Sequence, residues 1–103
     1  MIYEHKISNT ESVVEMYENV SGKFMHQTWT KLIGVQVKGR NVLQSFTHRD
    51  DGPAVVFADG YKAWYNQGKL HRIGGPAVID PRNGYEAWWE NGKRIKFWRI
   101  EWA

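Results

Sequence analysis

Cysteine is absent from this chain of 103 residues. That absence excludes disulfide bonds, thiolate metal ligands and cysteine nucleophiles. No stretch approaches the roughly 18 consecutive apolar residues that a membrane-spanning helix needs. The opening residues 1–8 also mix acidic and basic side chains where a secretion signal would be apolar. We therefore expect a cytoplasmic protein with no transmembrane segment.

A strong excess of one charge sign is missing as well. The chain has 14 Lys and Arg against 11 Asp and Glu, a net charge of +3. This charge is small for a protein that binds nucleic acid through many phosphate contacts. The first 20 residues nevertheless hold one lysine and four glutamates, so the basic side chains are concentrated in the remainder. Aromatic residues are abundant, with 6 Trp, 5 Tyr and 4 Phe, and such rings serve both small cores and binding surfaces.

An internal repeat occupies the second half of the chain. The octet HRDDGPAV at residues 48–55 recurs as HRIGGPAV at residues 71–78, an offset of 71 − 48 = 23. The stretch GYKAWYNQGK at residues 60–69 recurs as GYEAWWENGK at residues 84–93, an offset of 84 − 60 = 24. Short runs of Val, Ile, Tyr and Trp alternate with glycine-containing turns in both copies. This pattern predicts two β-hairpin repeats that differ by one inserted loop residue.

The spacing and residue types resemble MORN repeats, in which Tyr-x-Gly-x-Trp is followed by Asn-Gly-Lys and His-Gly. The matching positions are Tyr61, Trp64, Gly68, Lys69 and His71 in one copy, and Tyr85, Trp88, Asn91, Gly92 and Lys93 in the other. Ala63 and Ala87 replace a usual glycine, and His-Arg-x-x-Gly-Pro-Ala replaces His-Gly-x-Gly. This variant is similar to repeats of small phage and bacterial proteins. The resemblance implies stacked β-hairpins and, in some members, attachment to anionic lipid headgroups.

The segments outside the repeats predict caps for the array. Asn9 or Thr10 is a candidate helix cap, and Val13, Met16, Tyr17 and Val20 then share one helical face before Ser21-Gly22 ends the helix. Residues 23–47 alternate as a hairpin that turns at Gly39-Arg40-Asn41. In residues 96–102, Trp98, Ile100 and Trp102 alternate with charged side chains, which predicts a closing strand.

We therefore expect one mainly β (α+β) domain, an antiparallel meander of MORN-like β-hairpin repeats capped by one short N-terminal helix. Residues 1–47 would form the helix and a β-hairpin cap, residues 48–94 the two repeats, and residues 95–103 the closing strand. Repeats of this kind bury their faces only against neighbours, so caps are needed at both ends.

Eight side chains recur in register and are the candidate partner-binding residues. Strand alternation places Tyr61, Ala63 and Tyr65 on one face and Lys62 and Trp64 on the other. The candidates form an aromatic stripe, an imidazole and guanidinium ladder, and two turn lysines: Trp64, Trp88, His48, Arg49, His71, Arg72, Lys69 and Lys93. Arginine forks suit carboxylates and phosphates. A scaffolding interpretation stays open, in which the tryptophans fill the core and the His-Arg pairs bond neighbouring turns.

No catalytic or metal-binding arrangement can be assembled from the sequence. The four histidines do not form a close pair at ligand spacing, and the Gly-Lys pairs lack the spacing of a phosphate-binding loop. Neither a serine elbow nor a suitable carboxylate pair is recognisable. We therefore expect no enzymatic activity, no cofactor and no metal.

These observations predict a non-enzymatic protein-binding module, because aromatic residues with arginine are typical of binding hot spots. If the chain is phage-encoded, it would be an accessory or inhibitor protein acting on a host protein in the host cytoplasm. The alternative is nucleic-acid or anionic-lipid binding through a basic, Trp-rich sheet. Open sheet edges also make a homodimer plausible.

Overall fold

A computed structural model of the chain describes residues 1–99, and every regular element in that range is a β-strand. The eleven strands are β1 (Ile2–Lys6), β2 (Glu11–Tyr17), β3 (Phe24–Val37), β4 (Arg40–Thr47), β5 (Val55–Phe57), β6 (Lys62–Ala63), β7 (Tyr65–Asn66), β8 (Lys69–Leu70), β9 (Val78–Asp80), β10 (Tyr85–Glu90) and β11 (Lys93–Arg99). The prediction of a mainly β, antiparallel fold is confirmed. Residues 1–99 contain no helix long and apolar enough to cross a membrane.

Nine strands form one sheet in the order β1-β2-β3-β5-β6-β9-β10-β11, and β4 pairs with the far half of β3. Strands β7 and β8 form a separate two-stranded ribbon. The paired strands are all antiparallel, as expected for a meander of short connections. The molecule is flattened, measuring 54 × 40 × 23 Å along its principal axes.

The predicted N-terminal helix is wrong, because Glu11–Tyr17 forms strand β2 between β1 and β3. The apolar positions in this segment fit a helical period, but Val13 and Val14 are β-branched and also fit a strand. Pairing on both sides satisfies the backbone of β2 along its length, which a short exposed helix would not achieve alone. The Ser8 hydroxyl accepts the Glu11 amide at 3.1 Å, so this polar segment closes the β1-β2 turn instead of capping a helix.

Side-chain bonds also connect the first three strands. The Glu15 carboxylate on β2 accepts hydrogen bonds from the Gln27 amide on β3 and the Tyr17 hydroxyl. It also pairs with Nε2 of His5 on β1 at 2.8 Å. These interactions, and the Gln27 bond most of all, lower the pKa of Glu15 below its ordinary value. The acidic end of the chain therefore contributes a bonded carboxylate to the sheet.

The predicted hairpin of residues 23–47 is confirmed as β3 and β4. Its turn lies one residue earlier than expected, at Lys38-Gly39, where both φ angles are positive at 50° and 77°. Two consecutive residues with positive φ make the tight turn whose twist suits a two-residue hairpin. The closing strand is present as β11 up to residue 99, and Ile100, Glu101 and Trp102 lie outside the described residues.

The buried apolar positions in residues 1–99 are small: Val13, Ala54, Ala63, Ala77, Val78 and Ala87. Within this range no large side chain is fully buried. Cross-strand pairing aligns Val55, Ala63, Val78 and Ala87 in one row over four strands. Ala63 and Ala87 are almost completely covered by their neighbours, so a larger side chain at either position would have to displace packed atoms. This explains the alanines at positions 63 and 87.

Candidate functional site

The two faces of the repeat sheet differ in their side chains. Cross-strand pairs align Lys62 with Ile79, Glu86 and then Trp98. Alternation places Trp64 and Trp88 on this side, which we call the tryptophan face. The opposite side carries the buried alanine row, flanked by tyrosines, and we call it the tyrosine face.

On the tryptophan face, the Arg72 guanidinium lies flat over a tryptophan ring. Its Cζ is 3.9 Å from the ring centroid of Trp64, and its Nη1 donates a hydrogen bond of 3.0 Å to the carbonyl of Pro76. Gly75 also lies close to the guanidinium, and an added Cβ there would come within 2.8 Å of Cζ. Ring, carbonyl and glycine together hold the cation in one orientation.

The first repeat contains the same arrangement. Arg49 Cζ lies 3.9 Å from the ring centroid of Trp29, and Nη1 donates to the carbonyl of Pro53 at 3.1 Å. An added Cβ on Gly52 would lie 3.0 Å from Arg49 Cζ. The glycine of the Gly-Pro-Ala motif therefore lies against the arginine in both copies, and a side chain there would have to displace the guanidinium. The sequence copies are copies in three dimensions as well.

Trp29 corresponds in position to Trp64 and Trp88, and the comparison of the sequence copies did not reveal it. The backbone amide of Trp29 donates to the carbonyl of Ala54 at 2.8 Å, as the amide of Trp64 donates to Ala77 at 2.8 Å. The correspondence is hidden because Gly39, the turn glycine of Trp29, comes ten positions after it, whereas Gly68 comes four positions after Trp64. A search for Trp followed by a Gly-basic turn at variable spacing would have found it.

Each histidine bonds the Gly-Lys turn at the end of its own copy. His48 is 4% exposed, and its Nδ1 accepts the backbone N–H of Gln67 at 3.0 Å. Because Nδ1 accepts, Nε2 carries the proton and donates to Asp50 at 2.8 Å. His71 repeats the first bond, accepting the amide of Asn91 at 3.1 Å. Both turn residues have a φ of 49°, so each imidazole stabilises a turn with positive φ.

The other three candidate residues lie further along the array. Lys96 Nζ lies 4.6 Å from the ring centroid of Trp88, in place of the arginine seen over the other two tryptophans. Lys69 is exposed, and its side-chain carbons lie 3.7 Å from where a Cβ of Gly92 would be. Lys93 opens β11 and is also exposed. Neither of these two lysines pairs with an acid in the described part of the chain.

The two arginines differ in whether an acidic side chain pairs with them. Arg49 Nε pairs with the Asp51 carboxylate at 3.1 Å. The corresponding position in the second copy is Gly74, and Arg72 forms no ion pair with any residue in the range 1–99. Ile73, which replaces Asp50, is 71% exposed. The second loop thus presents an uncompensated cation beside an exposed apolar side chain.

A cavity of about 690 Å³ lies between the two His-Arg loops. Four of the eight candidate residues line it, namely Arg49, Trp64, His71 and Arg72, together with Asp50, Asp51 and Ile73. His48 is buried instead, and Trp88, Lys69 and Lys93 lie outside the cavity lining. We call the surface formed by Trp64, Arg72 and Ile73 the Trp64 surface.

Residues 1–99 contain no group of three or more His, Asp or Glu side chains placed to hold a metal ion. No family model, curated protein or solved structure matches this chain. The Trp64 surface is therefore interpreted from its own geometry and charge.

Proposed function

We propose that this chain is a MORN-like repeat module that binds another protein through the Trp64 surface. The observation that carries the proposal is the Arg72 guanidinium, stacked on Trp64 at 3.9 Å without an acidic partner in residues 1–99. It lies beside Ile73, which is 71% exposed. Tryptophan and arginine are the side chains most enriched where binding energy is concentrated.

The arginine is oriented before any partner arrives. Pro76 accepts one of its N–H groups, the Trp64 ring centroid lies 3.9 Å from its Cζ, and Gly75 lies close beside it. Ordering a long side chain on binding costs about 0.5–1.5 kcal/mol, and most of that cost is already met in the free protein. The remaining donors can bind a partner carboxylate as a fork.

The neighbouring isoleucine supplies the apolar part of the contact. Complete burial of an exposed isoleucine side chain contributes about 1.5–3 kcal/mol. An acidic group adjacent to an apolar residue on the partner would satisfy both Arg72 and Ile73. In this proposal His48 and His71 position the loops through their turn bonds, and the arginine makes the contact.

Affinity capture tests this function. Because the repeat resembles those of small phage and bacterial proteins, we propose a bacterial host protein as the partner and host lysate as the source. The tagged proteins are the wild type, Ile73→Glu, and the control Leu43→Glu on β4, where Leu43 is 68% exposed. We expect one protein to be retained at a stoichiometric level by the wild type and the control and to be lost with Ile73→Glu. Its retention by Ile73→Glu would contradict the proposal.

A second candidate function is binding to nucleic acid or anionic lipid, and one observation favours it. Strand β11 carries Lys93, Arg94, Lys96 and Arg99 without an acidic residue, and Lys96 lies over Trp88. Cations beside an aromatic ring can hold phosphates and stack bases. Tryptophan fluorescence is titrated with a single-stranded oligonucleotide and with anionic vesicles at low and high salt. A salt-sensitive response that Lys96→Gln weakens supports this function, and unchanged emission excludes it.

A further inference from the structure

The tyrosine face contains a second cavity, of about 600 Å³, which shares only Tyr65 with the lining of the cavity between the His-Arg loops. Its lining includes three aromatic and three charged side chains: Phe57, Tyr61, Tyr65, Asp59, Asp80 and Arg82. We propose that this cavity binds the guanidinium group of an arginine side chain in a peptide. The proposal does not depend on the Trp64 surface.

The negative charge of one of the two cavity carboxylates is already balanced by an arginine. Asp59 accepts the Tyr61 backbone N–H at 3.0 Å and pairs with Nη1 of Arg82 at 3.3 Å. The backbone bond first, and the arginine after it, lower the pKa of Asp59 below its ordinary value. Asp59 is therefore ionised, and its charge is compensated.

The other carboxylate is not compensated. Asp80 accepts the Asn83 side-chain amide at 2.7 Å and forms no ion pair with any described residue. The three charged side chains of the cavity therefore sum to −1. A cation is the ligand that this charge selects, and a carboxylate bound by one neutral amide keeps acceptor capacity for it.

The aromatic walls favour a flat cation. Phe57 and Tyr61 meet edge to face with centroids 5.6 Å apart. Burial is the main cause that raises the pKa of Tyr61, and the nearby Asp80 charge also raises it. The phenol of Tyr61 therefore stays neutral. A guanidinium can lie against such rings while its N–H fork binds a carboxylate, which a compact ammonium cannot do. The chain itself places Arg72 over the ring of Trp64 and pairs Arg82 with the carboxylate of Asp59 through Nη1.

Peptide titration of the full chain tests the assignment. The probes are N-acetylated, C-amidated Gly-Arg-Gly, Gly-Lys-Gly and Gly-Gln-Gly, followed through the amide resonances of ¹⁵N-labelled protein. We expect the arginine peptide to shift resonances around Tyr61 and Asp80, the lysine peptide to bind at least threefold more weakly, and the glutamine peptide not to bind. Equal binding of the arginine peptide and either of the others overturns the proposal.

Three variants sharpen the test by changing affinity in different directions. Asp80→Asn should weaken arginine-peptide binding at least tenfold, because the uncompensated charge is lost. Arg82→Gln should strengthen it severalfold, because a competing cation is removed from the cavity. Asp51→Asn, whose side chain lies 86% exposed at the other cavity, should change nothing. An unchanged affinity in Asp80→Asn with an intact spectrum, or a weaker one in Arg82→Gln, overturns the proposal.

A fourth variant separates this site from the proposed function. Ile73→Glu should abolish capture of the protein partner and leave arginine-peptide affinity unchanged. Loss of both activities in a folded Ile73→Glu protein would show that the two cavities are one site, against the proposal. Loss of peptide binding in Asp80→Asn together with normal partner capture supports an independent site.

Discussion

Replacing Gly75 with alanine should force the Arg72 guanidinium away from Trp64. The new Cβ would lie 2.8 Å from Arg72 Cζ and 2.9 Å from Nη1, closer than real Cβ contacts come. Gly75 does not have a positive φ, so alanine suits the backbone there. The effect of the substitution therefore acts through the arginine, and this makes it a clean probe of the stack.

The expected destabilisation follows from the contacts that the arginine loses. The hydrogen bond to Pro76 contributes about 1–1.5 kcal/mol. The stacking on Trp64 adds about 0.5–1 kcal/mol at a half-buried site. The two losses add to about 2 kcal/mol. Alanine restricts the unfolded chain more than glycine does, and this stabilises the folded state by about 0.5 kcal/mol. We expect the free energy of unfolding to fall by about 1.5 kcal/mol, which lowers Tm by about 6–12 °C in a domain of this size.

A double-mutant cycle is the assay. Urea unfolding followed by tryptophan fluorescence is measured for the wild type, Gly75→Ala, Arg72→Ala and the double variant. In the Arg72→Ala background the alanine has nothing to displace, so it should be neutral or stabilising by about 0.5 kcal/mol. Equal destabilisation by Gly75→Ala in both backgrounds would refute the clash with Arg72. A harmless Gly75→Ala in the wild-type background would refute the contribution of the stack.

Three further predictions concern the turns, the histidines and the acidic end. Gly60→Val should lower the free energy of unfolding by about 3 kcal/mol or more, because φ is +95° and the Cβ would lie 2.9 Å from Pro81 Cγ; a melting curve close to wild type by circular dichroism would contradict this. His48→Ala should cost about 2–3 kcal/mol and His71→Ala about 1 kcal/mol in urea unfolding, because His48 is buried and makes one more bond; a reversed order would contradict the assignment. Hydrogen bonding lowers the pKa of Glu15 in the folded state, so Glu15 stabilises the fold above its unfolded pKa and this stabilisation is lost as pH falls through the folded pKa. The wild type should therefore have a higher Tm than Glu15→Gln at pH 6, and the difference should shrink on acidification. A difference that grows on acidification would refute this assignment.

Local sequence patterns were sufficient to predict a hairpin wherever the turn and its flanking strands are close in sequence. The hairpin of β3 and β4 followed from alternation around Gly39, and the repeat hairpins followed from their glycine turns. These predictions succeed because a two-residue turn determines which residues pair and which side each one occupies.

Local pattern was insufficient at Glu11–Tyr17, where a helical and an extended period both fit the same apolar residues. Pairing with β1 on one side and β3 on the other decided in favour of a strand. Trp29 was missed for a related reason. Its hairpin is longer than the hairpins of the later copies, so a fixed-offset comparison cannot align it, although its backbone bonds match theirs.

The sequence by itself determined the repeat, the glycine turns, the antiparallel class and the residues available for contact. Only the tertiary structure decided what those residues do. Stacking of the repeats places Arg72 on Trp64 and gathers Asp80 with Tyr61 around one cavity, and folding of the first copy buries His48 against the turn at Gln67. The physical reason is that register within a hairpin is a local property, whereas contacts between repeats depend on which strands pair side by side and on the space that small residues such as Gly75 leave open.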